Sequence, residues 1–514
     1  MNDNRLFINA KILTMDEAAP RAEALYIEGS RIVRAGRTAD FQSLIEQGVE
    51  PVDMGGKTIL PGFIDAHQHM MLTGLLATAI DMSSTATIDE VLGLCREAAY
   101  HAGKGEWIRG SMLNDVNLRE KRMPDRYELD RAVADHPVYL LHPTVHLCSF
   151  NTAGLKALDI PENLNGVDRD ANGPTGVIRD PAIVTHILGK MSKLLPDAMK
   201  NSAIDTAALM ALKKGITTLH ALDGGDFGPG ETGLILQRAH SLPVRIVGYN
   251  QSMDIAESKQ LGLPRIGGCI CVDGAFEAHT AALFEPYSDA PDNCGELTYS
   301  QEKMNSFVRD ANREGLQISV HCESERAIEQ VLNAVELALE DCPRSDHRHR
   351  IEHLELPAWS QIERMNRLGV TTCMQPAFIP AFIGAEDMCH YRRLLGEKRL
   401  DRVHPYRTLL DSGITIAGGS DSPVTPYSPL DGIRAAVSHP NSRQRVTRTE
   451  ALRMFTSSAA WIGFEERQKG TIREGMRADL VVLDKDPLSC TDNELATIAI
   501  NEVYVSGQLQ FTGR

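Results

Sequence analysis

The chain has 514 residues, of which 42% are hydrophobic and 24% are charged, so it is long enough to bury a large core. Its 53 basic and 69 acidic residues give a formal net charge of -16, which excludes the basic surface that nucleic-acid binding requires. The first residues lack a signal-peptide pattern, and no stretch approaches the roughly 20 apolar residues of a membrane span. The cysteines have no paired CxxC spacing. These features predict a cytoplasmic protein with neither nucleic acid nor membrane as a partner.

Both chain ends have the sequence pattern of β-sheet. Short alternating apolar runs such as Leu6-Phe7-Ile8 occupy residues 5–57, and Leu480-Val481-Val482-Leu483 repeats this style near the other end. Neither end alone has enough strands for a stable sandwich. We therefore predict one small β-sandwich domain built from residues 1–57 and 471–514, with residues 58–470 inserted between them.

Four segments of the inserted part share one pattern of helix, glycine and β-branched strand. Their glycines are Gly215, Gly315, Gly369 and Gly413. Glycine after a helix readily adopts the left-handed conformation, and repeated helix-to-strand alternation indicates parallel β/α units. One (β/α)8 TIM-like barrel with insertions explains these units better than two open sheets, although glycine caps alone do not separate the two folds. Residues 80–200 are too long for one β/α loop and are predicted to form a lid or subdomain.

The strongest chemical signal is the segment Phe63-Ile64-Asp65-Ala66-His67-Gln68-His69. Residues two apart in a strand point to the same face, so His67 and His69 can both face a barrel interior. Two neutral imidazoles suit zinc or a similar divalent ion. A bare pair of this spacing also occurs as two surface histidines in a loop. The apolar run that leads into this pair favours metal ligands.

Three further candidates stand at the ends of predicted strands, and they are His321, His353 and Asp421. Catalytic residues of a β/α barrel collect at the C-terminal ends of its strands. Each of the three alone could be a structural residue. Their common position with His67 and His69 indicates a single metal site.

Three segments resemble the signature segments of the amidohydrolase superfamily, specifically its YtcJ-like branch, which includes N-substituted formamide deformylases. They are residues 59–69, Arg350-Ile351-Glu352-His353 and Gly419-Ser420-Asp421-Ser422-Pro423, and the likeness spans nearly the whole chain. The resemblance implies that His67, His69, His321 and His353 bind one or two divalent ions, with zinc expected, and that Asp421 is both ligand and catalytic proton shuttle. It also implies that His146 faces a small-molecule substrate, with a structural role as the alternative.

One position departs from this resemblance. The branch usually has a carbamylated lysine, bridging two metals, four residues before an Asp-Gly pair, and this chain has Cys269 there. Cys269 could be a small buried hydrophobe, or it could be a thiolate ligand of the metal. We include it among the candidate ligands. Both a cysteine-bridged pair of ions and a mononuclear site stay open.

These features predict a metal-dependent hydrolase that uses an activated water to cleave a C–N bond in an amide, formamide, cyclic amide or carbamate. An aminoheterocycle deaminase and a non-catalytic amidohydrolase-like scaffold are the alternatives. A homodimer is the default expectation. A second histidine pair, His347 and His349, lies in a charged run and is predicted to form a solvated loop rather than another metal site.

Overall fold

The computed structural model describes residues 4–143, 145, 147–161, 164–179, 182–384 and 387–513. The chain divides into two compact units. The first comprises Met1–Gln68, Ala208–Leu222 and Ile235–Arg514, and the second comprises His69–Ala207 and Asp223–Leu234. Within the described ranges, no helix is both long enough and apolar enough to cross a membrane.

The chain begins with a series of short strands that ends at the first predicted metal motif. In order, the elements are β1 (Arg5–Ile8), β2 (Lys11–Leu13), β3 (Arg21–Ala22), β4 (Ala24–Glu28), β5 (Arg31–Gly36), α1 (Gln42–Glu46), β6 (Pro51–Asp53), β7 (Thr58–Pro61) and β8 (Phe63–Gln68).

The next region alternates helices with strands. Its elements are α2 (Met70–Ala77), β9 (Ile80–Asp81), α3 (Ile88–His101), β10 (Ile108–Ser111), α4 (Arg126–Ala132), β11 (Val138–Leu141), β12 (Leu147–Phe150), α5 (Thr152–Leu158), β13 (Val167–Asp170), β14 (Gly173–Arg179), α6 (Leu188–Leu194) and α7 (Asp197–Leu212).

The remaining elements form a regular β/α series, followed by helices and three closing strands. They are β15 (Ile216–Asp223), α8 (Glu231–Arg238), β16 (Arg245–Asn250), α9 (Ile255–Gln260), β17 (Arg265–Cys271), α10 (Gln301–Arg313), β18 (Gln317–Cys322), α11 (Glu325–Asp341), β19 (Arg350–His353), α12 (Trp359–Leu368), β20 (Thr371–Met374), α13 (Cys389–Leu395), α14 (Tyr406–Asp411), β21 (Ile416–Gly418), α15 (Pro429–Val437), α16 (Arg448–Met454), α17 (Ser457–Ile462), β22 (Leu480–Leu483), α18 (Asp492–Leu495), β23 (Ile500–Val505) and β24 (Gln508–Thr512).

Strands from both chain ends share a sheet. The six-stranded sheet has the order β24-β23-β22-β7-β2-β3, and a four-stranded sheet has the order β5-β4-β1-β6. Strand β22 is buried at every position because its four residues are all aliphatic. A single apolar cluster joins residues of both termini, including Phe7, Leu25, Leu480 and Val482.

The β/α series supplies the strands that carry the predicted site. They form a three-stranded sheet of order β16-β15-β8 and a five-stranded sheet of order β17-β18-β19-β20-β21, in which the five strands pair in parallel. Gln68 at the end of β8 bridges to Ser422, which follows β21. The Gln251 side chain, just after β16, donates to the Cys269 carbonyl oxygen at 2.9 Å. Strands β18, β19 and β20 are buried along their whole length, as expected for parallel strands with both faces covered.

The four predicted helix-glycine-strand segments are confirmed. Helices α7, α10, α12 and α14 each end shortly before a glycine with positive φ, and β15, β18, β20 and β21 follow. Left-handed backbone is tolerated there because glycine has no Cβ. The segments therefore supply the repeating unit of the site-bearing sheets.

The second unit contains a six-stranded sheet of order β13-β14-β12-β11-β10-β9, with α3 and α4 contributing to one of its apolar clusters. The sequence analysis predicted a lid or subdomain over residues 80–200 but did not predict this sheet. Its strands are between two and seven residues long, so alternation of apolar residues is difficult to detect.

The predicted solvated loop around His347 and His349 is wrong, because both histidines and Arg348 between them are buried. The guanidinium of Arg348 lies 4.2 Å from the ring centre of Trp461 and 4.2 Å from that of Phe464, and it pairs with Glu466. Partners remote in sequence thus supply the stacking and countercharge that allow a charged run to be buried.

Candidate metal centre

Five of the predicted site residues come together within the first unit. Cys269, His321 and His353 form one candidate set of ligands, and His67, His353 and Asp421 form a second. In each set the ligand atoms all lie within 4.8 Å of one another, and every member is buried. His353 belongs to both sets. Because Nε2 of His353 has a single lone pair, it can bind one ion only, so the arrangement can hold one ion, or two neighbouring ions of which one binds His353.

His67 lies on the fully buried strand β8 between two carboxylates. Its Nδ1 is 2.6 Å from Glu352 Oε2, and its Nε2 is 3.2 Å from Asp421 Oδ1. Burial lowers the pKa of His67, but Asp421 and Glu352 outweigh burial and raise it to about 9. Without a bound cation the ring is thus an imidazolium. A metal ion at Nε2 has to displace a proton.

Glu352 is fully buried and stays a carboxylate. Its oxygens accept from Ser319 Oγ at 2.6 Å and from Arg350 Nη2 at 2.7 Å, besides the contact with His67. Burial raises the pKa of Glu352, but the charges of Arg350 and His67 outweigh burial and hold it well below its usual range. Sequence analysis assigned no role to Glu352 or Arg350. The sequence does contain a signal for this pair, because two opposite charges two residues apart lie on the same face of a strand that is expected to be buried.

His353 ends β19 and is held by an amide. Its Nδ1 is 2.8 Å from Gln375 Oε1, and its Nε2 is 3.5 Å from Cys269 Sγ. The ring centre of His321 lies 4.5 Å from that of His353. Gln375, which the sequence analysis also missed, stands just beyond β20.

Three of these residues have left-handed backbone although none is glycine. Cys269 has φ of 72°, His353 of 68° and Asp421 of 55°. Such conformations are uncommon for side chains with a Cβ and are held in place by their surroundings. They cluster here at the predicted ligands, which is typical of functional sites.

The Cys269 thiol is buried beside several negative groups. Burial raises its pKa well above the usual range, and Cys271, Asp421 and Glu352 raise it further. The thiol is therefore neutral unless a cation is present. A metal ion is the kind of neighbour that would stabilise its thiolate.

Two buried aspartates, which the sequence analysis did not single out, fix the loops around the candidate ligands. Asp65 accepts from the N–H of His67 at 3.2 Å and from that of Ser420 at 3.0 Å. Asp273 accepts from the N–H of Glu323 at 3.0 Å and from the Ser324 hydroxyl at 2.6 Å. Asp65 thus holds His67 and the residue before Asp421, and Asp273 holds residues two and three positions after His321.

The assignments of His69 and His146 as site residues stay predictions. His69 is the N-cap of α2 and the first residue of the second unit, so its role as a ligand stays a prediction. His146 lies outside the described residues.

The chain is similar to known proteins over nearly its full length. The sequence profile of the amidohydrolase family matches residues 50–511. YtcJ of Bacillus subtilis is 29% identical over 97% of this chain and 98% of its own length. The N-substituted formamide deformylase of Arthrobacter pascens is 29% identical over 98% of both chains. A solved metal-dependent hydrolase of Pyrococcus furiosus is 26% identical, covers 95% of this chain and 100% of its own, and superposes with a TM-score of 0.78. The resemblance predicted from the sequence is confirmed, and the chain belongs to the amidohydrolase family.

Proposed function

We propose that this amidohydrolase cleaves an amide-type C–N bond with a water activated at a zinc-type ion held by His67, His353 and Asp421. Cys269 and His321 lie next to His353 and are proposed as the ligands of the adjoining position. The observation that carries the proposal is this pair of overlapping ligand sets. Within each set the ligand atoms all lie within 4.8 Å of one another. His69 is included as a ligand because of its spacing from His67.

The donor chemistry fits such an ion. Imidazole nitrogen, thiolate sulfur and carboxylate oxygen are the ligands that zinc accepts in proteins. His67 and His353 each have Nδ1 next to an acceptor, Glu352 and Gln375 respectively, so each can direct the lone pair of Nε2 into the site. Five buried donors are enough for one ion with an open position, or for two neighbouring ions of which one binds His353.

When bound by these residues, the ion would supply a water of near-neutral pKa and would polarise the scissile carbonyl group. Asp421 accepts a proton from the attacking water and later donates it to the departing nitrogen. An amide and one water thus give a carboxylic acid and an amine, and Asp421 returns to its carboxylate. Glu352 does not serve as this base, because Arg350, Ser319 and His67 already occupy its oxygens.

N-substituted formamides are the first substrate class to consider, because the relative named for deformylation of such compounds is similar over 98% of this chain. N-acyl amines, cyclic amides and carbamates share the same reaction chemistry. His146 is proposed to face the substrate on the basis of the sequence resemblance. Deamination of an aminoheterocycle by the same site is the alternative, and it would release ammonia rather than an amine.

We also propose that the eight strands β8 and β15–β21 close into a (β/α)8 TIM-like barrel. The bridge from Gln68 to Ser422 and the hydrogen bond from Gln251 to Cys269 support neighbouring positions at the two junctions between the sheets. The two sheets of strands β1–β7 and β22–β24 are proposed to form the composite β-sandwich domain of residues 1–57 and 471–514, with β7 at its junction with the barrel domain. The barrel domain then spans residues 58–470, with 80–200 inserted.

Hydrolysis in ¹⁸O-labelled water tests this reaction. We expect zinc-loaded protein to release an amine and an acid that carries one ¹⁸O atom from solvent, while the Asp421→Asn variant does so at least about 10²-fold more slowly. Release of ammonia with the label in the exocyclic carbonyl oxygen of a heterocyclic product would favour the deaminase. Zinc-loaded protein that turns over no formamide, amide, carbamate or aminoheterocycle would contradict the proposal and favour a scaffold.

A further inference from the structure

A fully buried ion pair lies beneath the candidate metal centre and takes no part in the proposed proton transfers. Arg350 and Glu352 both face the interior from β19, with 1% and 0% of their surface exposed. Burying two charges is costly, and a pair of apolar side chains would often be as stable. Stability alone therefore does not explain why this pair is buried here.

The hydrogen bonds of Glu352 determine which nitrogen of His67 carries a proton. Oε1 accepts from Ser319 Oγ and from Arg350 Nε, and Oε2 accepts from Arg350 Nη2 at 2.7 Å and contacts His67 Nδ1 at 2.6 Å. A carboxylate has about four acceptor positions and no hydrogen to donate. His67 Nδ1 consequently has to be the donor. Its Nε2, 3.2 Å from Asp421, is the nitrogen that can bind a cation.

Arg350 is in turn held by groups on three other strands. Its Nη1 donates to the Tyr249 hydroxyl at 2.9 Å and to His220 Nδ1 at 3.2 Å. Its Nη2 donates to the carbonyl oxygen of Ala66, the residue before His67, at 2.7 Å. The guanidinium therefore binds both the backbone of β8 and the carboxylate that orients the His67 ring.

We infer that Arg350 and Glu352 are positioning residues, which fix the Nδ1-protonated form and the orientation of His67 so that its Nε2 faces the metal. This inference rests on the proposed metal site and adds a determinant of its affinity. Acceptors of this type behind a histidine ligand commonly contribute a factor of about 10 to 100 in metal affinity.

The variant Glu352→Gln tests the inference while keeping the side-chain volume. An amide NH₂ would replace one acceptor oxygen, so it would oppose either Arg350 or the Nδ1 proton of His67. We expect the dissociation constant for zinc, measured by titration of chelator-treated protein, to rise about 10- to 100-fold. The matched control is Glu355→Gln, which removes another buried carboxylate, one that accepts from Tyr391 and does not orient His67. This control should bind zinc as tightly as the wild type.

Equal zinc affinity in Glu352→Gln and the wild type would overturn the positioning role. If Glu352→Gln does not fold, ¹⁵N NMR of histidine-labelled, zinc-loaded wild-type protein tests the same inference, because it shows which nitrogen of His67 carries the proton. A proton on Nδ1 of His67 supports the inference, and a proton on Nε2 or zinc at Nδ1 overturns it. Wild-type protein that binds no zinc would contradict the proposed function itself, whereas an unchanged affinity in the variant contradicts the positioning role alone.

Discussion

His67 and Asp421 are coupled through both side chain and backbone. His67 Nε2 lies 3.2 Å from Asp421 Oδ1, and the N–H of Asp421 donates to the His67 carbonyl oxygen at 2.8 Å. The backbone bond ties the segment after β21 to β8. The distance between a predicted ligand and the proposed proton shuttle is therefore set by the pairing of the chain and not by two mobile side chains.

The variant Asp421→Asn should keep the site nearly isosteric and remove the base. We expect turnover to fall by about 10² or more while the KM changes little, because an amide cannot accept the proton of the attacking water. Steady-state kinetics between pH 6 and 9 measure both parameters. Turnover close to that of the wild type across this range would remove Asp421 from the mechanism.

Replacement of Cys269 shows whether this residue is a metal ligand or only packs in the core. If Cys269 binds the metal as a thiolate, Cys269→Ser should lower the zinc content sharply, because a serine hydroxyl is a poor anionic donor at neutral pH. The control is Cys95→Ala, which removes another buried cysteine from an apolar cluster of the second unit. Full zinc content in both variants would show that Cys269 is a packing residue. X-ray absorption of the wild type should then lack a zinc–sulfur distance of about 2.3 Å.

Zinc affinity should increase with pH below about 9. The pKa of His67 is raised from 6.5 to about 9 in the absence of a cation, so the charged ring stabilises the metal-free fold below pH 6.5, and this contribution is lost as the pH rises through 9. Zinc competes with that proton. Each proton displaced makes the affinity rise about tenfold per pH unit. The Cys269 thiol, whose pKa is also raised, should add a second proton.

The number of protons released can be counted by calorimetric titration of zinc in buffers of different ionisation enthalpy at neutral pH. We expect Cys269→Ala to release one proton fewer than the wild type. An affinity that does not vary between about pH 6 and 8 would contradict the assignment of His67 as a ligand.

Gly419 leaves room for His67. A Cβ at this position would lie 2.6 Å from the Cβ of His67 and 2.8 Å from its backbone nitrogen. Gly419→Ala should therefore displace β8, lower the free energy of unfolding by about 1–3 kcal/mol and weaken zinc binding. The control Gly93→Ala lies within α3, where the new Cβ would meet the Arg96 side chain at 4.0 Å. Alanine there should stabilise by about 0.5–1 kcal/mol. Equal urea denaturation curves for the two variants would contradict this packing argument.

The sequence was sufficient to select residues whose position along a strand, or at its end, indicates where they lie in the fold. The alternation rule placed His67 on a buried strand, and strand-end position selected His321, His353 and Asp421, which the structure brings together with His67. The helix-capping glycines identified four β/α units because left-handed backbone after a helix has a strong residue preference.

The residues that sequence analysis missed depend on partners that are remote in sequence. Besides Arg350 two residues earlier, Glu352 contacts Ser319 and His67, which are far from it in sequence, and the sequence around a carboxylate does not indicate such partners. The burial of His347 and His349 likewise depends on segments far along the chain. Patterns within a short window report on local backbone and burial, but buried polar networks follow from the tertiary fold.

The central claim is that catalysis of C–N bond hydrolysis requires a metal ion at this site. The most direct test is the rate of hydrolysis of an N-substituted formamide by chelator-treated protein as zinc is added back in known equivalents. We expect the treated protein to be inactive, and we expect activity to rise with added zinc and to saturate at about one or two equivalents per chain. Full activity in protein shown to be free of metal would contradict it.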